Sequence, residues 1–403
     1  MIKYASLATL ILTLAGCGGR GCGRTVPVTF GDDLSFLQKY TQVIVLSSAD
    51  GKSQVAVAPA YQGRVMTSSA NGLTGDSFGY IHRAGVQAGK RQPHMTVLGG
   101  EDRFWLGPEG GQYALYFPPG AAFDAEHWQV PEPIDWDAWP VVSQNKTDAS
   151  FMRQMSLTNY AGTKFTARVN RTVRMLDRGA IATALSITPA SSTNLVAYES
   201  ENRLMNDGTT AWTQETGLIS IWILGMYPPS PRATVVIPFV PGTDAERGPV
   251  VNDAYFGKID ADRLKIGEGV LFFKADGRKR GKIGIPKPRA RDVAGSYDPD
   301  RRVLTIVTFT LPMASGYVNS MWAKQDNPYG GDVVNSYNDG PMTPGAAPLG
   351  PFYEIESSSP AVSLGPKQWV QHVHRTIHFQ GPDADLDAIA RKVLGVSLAQ
   401  IRF

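Results

Sequence analysis

The sequence predicts an all-β protein, a large sandwich or barrel with a few short peripheral helices. Short runs of β-branched and aromatic residues recur along it, 42 glycines and 28 prolines punctuate them, and helical periodicity is confined to two stretches. The runs lie at 41–47, 53–58, 63–67, 173–175, 180–188, 195–200, 218–224, 234–239, 270–274, 304–310 and 370–379. The helical stretches lie at 30–40 and 385–394. In the second, Leu386, Ile389, Val393 and Leu394 recur at three- and four-residue spacing, with Asp383 or Asp385 as the expected cap. Both helices are expected to close open ends of the sheets.

The first residues carry a different message. Met1-Ile2-Lys3 is followed by an apolar stretch over 5–14 that runs into Leu14-Ala15-Gly16-Cys17. A charged opening, a short apolar region and small residues before a cysteine have the order of a bacterial lipoprotein signal. A membrane-spanning helix needs ~20 apolar residues, and this run is about half of that. The sequence therefore predicts a signal peptide over 1–16, a lipid on Cys17, a tether over 17–26 and one folded β domain over 27–403. Gly18 stands where an aspartate would favour retention at the inner membrane, so the expected location is the outer membrane, facing the periplasm.

Composition narrows the rest. With Cys17 acylated, Cys22 is the one cysteine left of two, and no intramolecular disulfide can form. A net charge of +3 is too small for nucleic-acid binding by bulk electrostatics. The one basic concentration, residues 274–291, reads as a solvated hairpin or as a rim that attracts anionic sugars. Residues 117–139 form a long Pro- and Trp-rich excursion without periodicity. Its Trp128, Trp136 and Trp139 offer flat faces for sugar stacking, or pin the loop to the core.

The segment 350–381 holds the most chemistry. Ile355-Glu356-Ser357-Ser358 precede Pro360, Leu364-Gly365-Pro366 form a turn, and His374-Arg375-Thr376 sit in the last strand. The segment resembles the C-terminal end of aldose 1-epimerases, the galactose mutarotase-like superfamily. Gln62-Gly63-Arg64-Val65 resembles that family's early Gly-Gly-Arg-Ile strand, and Leu98-Gly99-Gly100 its Leu-His-Gly-Gly. The resemblance implies a galactose mutarotase-like β-supersandwich that handles carbohydrate, with Glu356 as catalytic base. It departs from the family at the histidines: Leu98 runs directly into Gly99, and the stretch Glu201-Asn202-Arg203-Leu204-Met205-Asn206 has none.

An acid would then come from His82 or His94. Arg83, Trp105, Glu109, Trp322, Asn327, Asn338 and Glu354 are the expected sugar contacts, because sugar hydroxyls need donors and acceptors beside aromatic faces. Glu354 shares the face of Glu356 at two-residue spacing, which admits a paired-carboxylate mechanism. His372, His374 and His378 also share one side of a strand, and Asp332, Asn335 and Asp339 are oxygen ligands in one region, but neither set is assigned a metal. The expectation is a carbohydrate partner, a membrane contact through lipid, no cofactor and no nucleic acid. A non-catalytic glycan binder and an envelope scaffold are the rival readings.

Overall fold

The computed structural model describes residues 28–313, 316–342 and 345–403. Cys17 and the expected signal peptide lie outside the described residues. Along the chain come α1 (Phe30–Gln38), β1 (Ile44–Ser47), β2 (Gln54–Ala58), β3 (Arg64–Ser69), α2 (Arg83–Ala88), β4 (Arg103–Gly107), α3 (Glu132–Asp135), β5 (Val141–Gln144), β6 (Asp148–Thr158), β7 (Lys164–Met175) and α4 (Arg178–Leu185). There follow β8 (Asn194–Asn206), β9 (Ser220–Tyr227), β10 (Thr234–Pro238), α5 (Asp244–Arg247), β11 (Leu264–Ile266), β12 (Val270–Lys274), β13 (Gly281–Pro286), β14 (Val293–Asp298) and β15 (Val303–Phe309). The last elements are β16 (Asp332–Asn338), β17 (Tyr353–Ser358), β18 (Trp369–Gln380) and α6 (Asp383–Val393). Among the described residues, no helix is long and apolar enough to cross a membrane.

The expected all-β class is what the chain adopts. A ten-stranded antiparallel sheet, ordered β11-β12-β10-β14-β15-β18-β8-β7-β6-β5, underlies a three-stranded sheet β1-β2-β3 and a five-stranded sheet β13-β16-β17-β9-β4. Strand patterns show why. In β7, Phe165, Ala167, Val169 and Val173 point inward while Lys164, Thr166 and Asn170 face water, the alternation of a half-buried strand. β9 and β17 are buried along their whole length. One core joins β4 and β9 to β6, β7 and β8, and another joins β13, β16 and β17 to β10, β12, β14 and β15. The face of the five-stranded sheet turned away from these cores is left free for a site.

Two local expectations are corrected. Residues 180–188, expected as a strand, fall mostly within α4: Asp177 accepts a hydrogen bond from Ala180 N at 2.7 Å, and the segment is Ala-rich. Neither Asp383 nor Asp385 caps α6. Pro382 holds that position, and both aspartates lie in the first turn, where they favour the positive end of the helix dipole. α6 instead closes a third core over the outer face of the ten-stranded sheet, through Leu386, Ile389 and Leu394.

Candidate active site

Strand register assembles the site on the free face of the five-stranded sheet. In β17, Tyr353 and Ile355 face the core, so Glu354 and Glu356 face the other way. Glu354 pairs across to Tyr337 of β16 and Met226 of β9; Glu356 pairs to Asn335 and Leu224. β4 extends the row with Arg103 opposite Leu224 and Trp105 opposite Trp222, and β13 adds Lys282 opposite Tyr337. Loops bring Glu109, Trp128, Phe256 and Trp322 over this floor, enclosing a cavity of about 680 Å³.

The floor concentrates charge out of water. Arg103 donates to Glu354 at 2.8 Å, a contact between residues 251 positions apart, and Lys282 Nζ donates to Glu356 Oε2 at 3.0 Å. Trp222 Nε1 donates to the same Glu356 oxygen at 2.9 Å. Among the described residues, Glu356 Oε1, Arg103 Nε and Trp105 Nε1 are buried without hydrogen-bond partners. Burial pushes the Glu354 carboxyl up to about 7 against the pull of Arg103, and the neighbouring Glu356 pushes the same way. Burial likewise raises Glu109. For Lys282, burial favours the neutral amine, but Glu356, Glu109 and Glu354 together outweigh it and hold its pKa above the ordinary value. At the margin, burial lifts Asp332 to about 6 although Tyr255 and Asn252 donate to it at 2.6 and 3.2 Å.

Aromatic rings form the walls. Trp105 packs between Tyr116 and Trp222, each at 5.5 Å between centroids, and carries the Arg103 guanidinium 3.9 Å above its ring. Trp128 stacks on Trp322 at 5.8 Å. Two carboxyl groups in unlike environments, flanked by cations and flat apolar faces, suit proton exchange on a polyhydroxylated ligand.

Most of the expected site residues meet here. His82, His94, Trp105, Glu109, Trp322 and Glu354 all border the cavity. Glu356 is not among the lining residues: it is 1 % exposed, behind Lys282 and Trp222, which do line the cavity. His82 is the N-cap of α2 and accepts from Gly85 N at 3.1 Å through Nδ1; His94 Nδ1 lies 2.7 Å from Trp128 O. Three expected contacts lie elsewhere, each because its polar group has another partner. Arg83 is paired with Asp33 and stacked on Phe36 outside the cleft. Asn327 is exposed and closes its own turn by accepting from Tyr329 N at 3.3 Å. Asn338 is buried and braces the loop before β13, donating to Lys279 O at 2.8 Å and accepting from Gly277 N at 2.9 Å.

The glycine that follows Leu98 has a steric reason. Gly99 has φ +88°, and a Cβ there would come within 2.0 Å of Tyr80 O. The histidines of β18 are core groups. Ser357 Oγ bridges His372 Nε2 at 2.7 Å and His374 Nδ1 at 2.8 Å, and burial pushes the two rings down to about 3 and 4. His378 joins Glu101 at 3.0 Å. Asp332, Asn335 and Asp339 are each engaged by protein partners, and among the described residues no group of three or more His, Cys, Asp or Glu has the arrangement to hold a metal.

Lys282, Arg103, Trp222 and Tyr337 were not singled out from the sequence as site residues. For Lys282 the signal was the basic run, which the fold divides. Arg278 and Lys279 are exposed, Arg289 is buried on the carbonyls of Gly242, Thr243 and Gly248, and Arg280 and Lys282, two apart, both reach the cavity.

The fold is similar to three solved structures at low identity. The Slr1438 protein of Synechocystis sp. PCC 6803 is 13 % identical, with 84 % of this chain and 96 % of that one covered and a TM-score of 0.48. A galactose mutarotase-like protein from Lactobacillus casei is 10 % identical over 84 % of this chain and 100 % of the other, at 0.44. A galactose mutarotase related enzyme from Lactobacillus acidophilus is 9 % identical over 85 % and 99 %, at 0.46. No curated protein matches the sequence. A family model does match, over residues 28–403, and by that match the chain belongs to a family of unknown function, DUF6786.

Proposed function

We propose that this is a carbohydrate-processing protein of the cell envelope, in which Glu356 acts as general base on a sugar held in the cleft. One observation carries the reading: two carboxyl groups on one strand face stand at the base of an aromatic-walled cavity in different environments, Glu354 lining it and Glu356 directly behind the lining residues Lys282 and Trp222. Glu356 accepts from Lys282 and Trp222 and keeps Oε1 unpartnered among the described residues. Glu354, pushed up to about 7, can hold or release a proton near neutrality. It is the acid partner beside the base, with His82 and His94 as acid candidates on the wall. Trp105, Trp128 and Trp322 supply flat surfaces for the C–H faces of a pyranose. A cavity of about 680 Å³ has room for a mono- or short oligosaccharide.

The test is Glu356→Gln. Turnover of a bound sugar is expected to fall at least about hundredfold, with affinity by calorimetry nearly unchanged. Undiminished turnover removes Glu356 from the mechanism. The second reading, capture of glycan without turnover, is favoured by the near-complete burial of Glu356 behind Lys282 and Trp222. It predicts wild-type protein that binds sugar and converts none of it.

The same proposal places the protein on a lipid at Cys17, at the outer membrane and facing the periplasm, supported by the order of residues 1–17. Cys17→Ser is expected to move the protein out of the membrane fraction. Retention there would refute the anchor.

A further inference from the structure

Arg280 stands apart from the other cations of the cleft. Arg103 is matched with Glu354 and Lys282 with Glu356. Arg280 lines the same cavity beside Tyr337, whose hydroxyl its side chain contacts, yet among the described residues it has no ion-pair partner, and its Nε is buried without a hydrogen bond. Phe256 lies 3.5 Å from its guanidinium carbon, so the ring covers one face of the fork. An arginine fixed by stacking presents its donor edge, the side suited to planar, two-point recognition of an oxyanion.

Its position relative to the carboxyl groups sets a length. Lys282 is in register with Tyr337, and Tyr337 with Glu354, so Arg280 lies two strands across and two residues along from Glu354. These offsets are about 10 Å and about 7 Å between backbones. Side chains reaching inward from both positions leave the span of one sugar ring between them. With its reacting end at the carboxyl groups, such a ring directs its exocyclic group toward Arg280.

We propose that the cleft takes a sugar acid, whose exocyclic carboxylate binds the free edge of Arg280. This rests on the carbohydrate reading and narrows it to one substrate class. A single unmatched arginine suits a monoanionic carboxylate; a dianionic phosphate calls for more than one cation.

The experiment is calorimetric titration of the full chain with galacturonate, glucuronate and mannuronate, each beside its neutral hexose and the hexose 6-phosphate. At least one uronate is expected to bind tenfold or more tightly than its neutral hexose. Arg280→Met, with its melting temperature checked against wild type, is expected to erase that preference while leaving the hexose affinity in place. Arg280→Lys should keep part of it. Equal binding of hexose and uronate, or an intact preference in Arg280→Met, overturns the sugar-acid assignment and leaves the carbohydrate reading standing. Tighter binding of the 6-phosphates overturns the choice of carboxylate. Failure of every sugar to bind overturns both.

Discussion

Two regions of the molecule hold charges away from water, and they treat them differently. Between the sheets, Arg171 is fully buried and spends its whole guanidinium on the protein: Nε on Gly63 O at 3.1 Å, one terminal nitrogen on Asn202 at 2.7 Å, the other on the Asp102 carboxylate at 2.6 Å. Glu101 beside it accepts from Ser68, Tyr198 and His378. Unpartnered atoms remain there as well, among them Asp102 Oδ2, Arg64 Nε, Thr376 Oγ1, Tyr227 Oη and one ring nitrogen each of His372 and His374. At the cleft, Arg103 Nε and Trp105 Nε1 belong to residues that line the cavity and Glu356 Oε1 lies just behind it, all three buried without partners among the described residues. A buried polar atom without a partner costs about 1–3 kcal/mol. Within the core such groups join strands from both sheets, whereas along a cavity the same cost leaves hydrogen-bonding capacity for a ligand.

The largest expected effect tests the closed region. Arg171→Met should lower stability by about 3–5 kcal/mol, because it strands the Asp102 carboxylate in the core. Urea denaturation measures it, and a loss below about 1 kcal/mol would mean that the interior pair does not bind the sheets together.

A smaller effect separates the regions by pH. His372 has a folded pKa of about 3, below its ordinary 6.5, so the unfolded chain takes up the proton first as pH falls. Its contribution is complete above 6.5 and shrinks as pH drops toward 3, on the order of 2 kcal/mol by pH 5. In His372→Gln that part of the acid limb should flatten when stability is followed from pH 6.5 to 5; an unchanged slope would exclude His372 as its source.

Glu354 works in the opposite sense. Its folded pKa of about 7 exceeds the ordinary 4.5, so the folded chain holds the proton more tightly. Stability is full below 4.5 and declines as pH rises through 7. Glu354→Gln, which cannot ionise, should gain on the order of 2 kcal/mol relative to wild type between pH 5 and pH 8, whatever fixed offset the loss of the Arg103 contact adds. A constant difference across that range would show that the cleft carboxyl does not titrate there.

The strands most legible in the sequence were those rich in β-branched residues, such as 234–239 and 304–310. β6, with the sequence DASFMRQMSLT, escaped because its alternation includes Met, Arg and Gln, and it is strand by pairing with β7 along its length. The segment 180–188 misled because Ile and Thr pointed to strand, while Asp177 and the alanines set a helix. In the site, Trp105, Glu109, Trp322 and the two glutamates were legible as uncommon polar and aromatic residues near recognisable strands. Arg83, Asn327 and Asn338 had the same appearance, and only their actual partners removed them from the cleft.

The sequence by itself determined that Glu354 and Glu356 share a face, because a strand repeats every two residues; that glycine is required at position 99 came from its packing beneath Tyr80. Tertiary structure decided which cation each glutamate meets. Arg103 and Lys282 reach them through register across neighbouring strands, from positions 251 and 74 residues away. Register follows from the packing of whole sheets, so no local pattern could announce these pairs, and the same packing desolvates Glu354 and sets the pH at which it can exchange a proton.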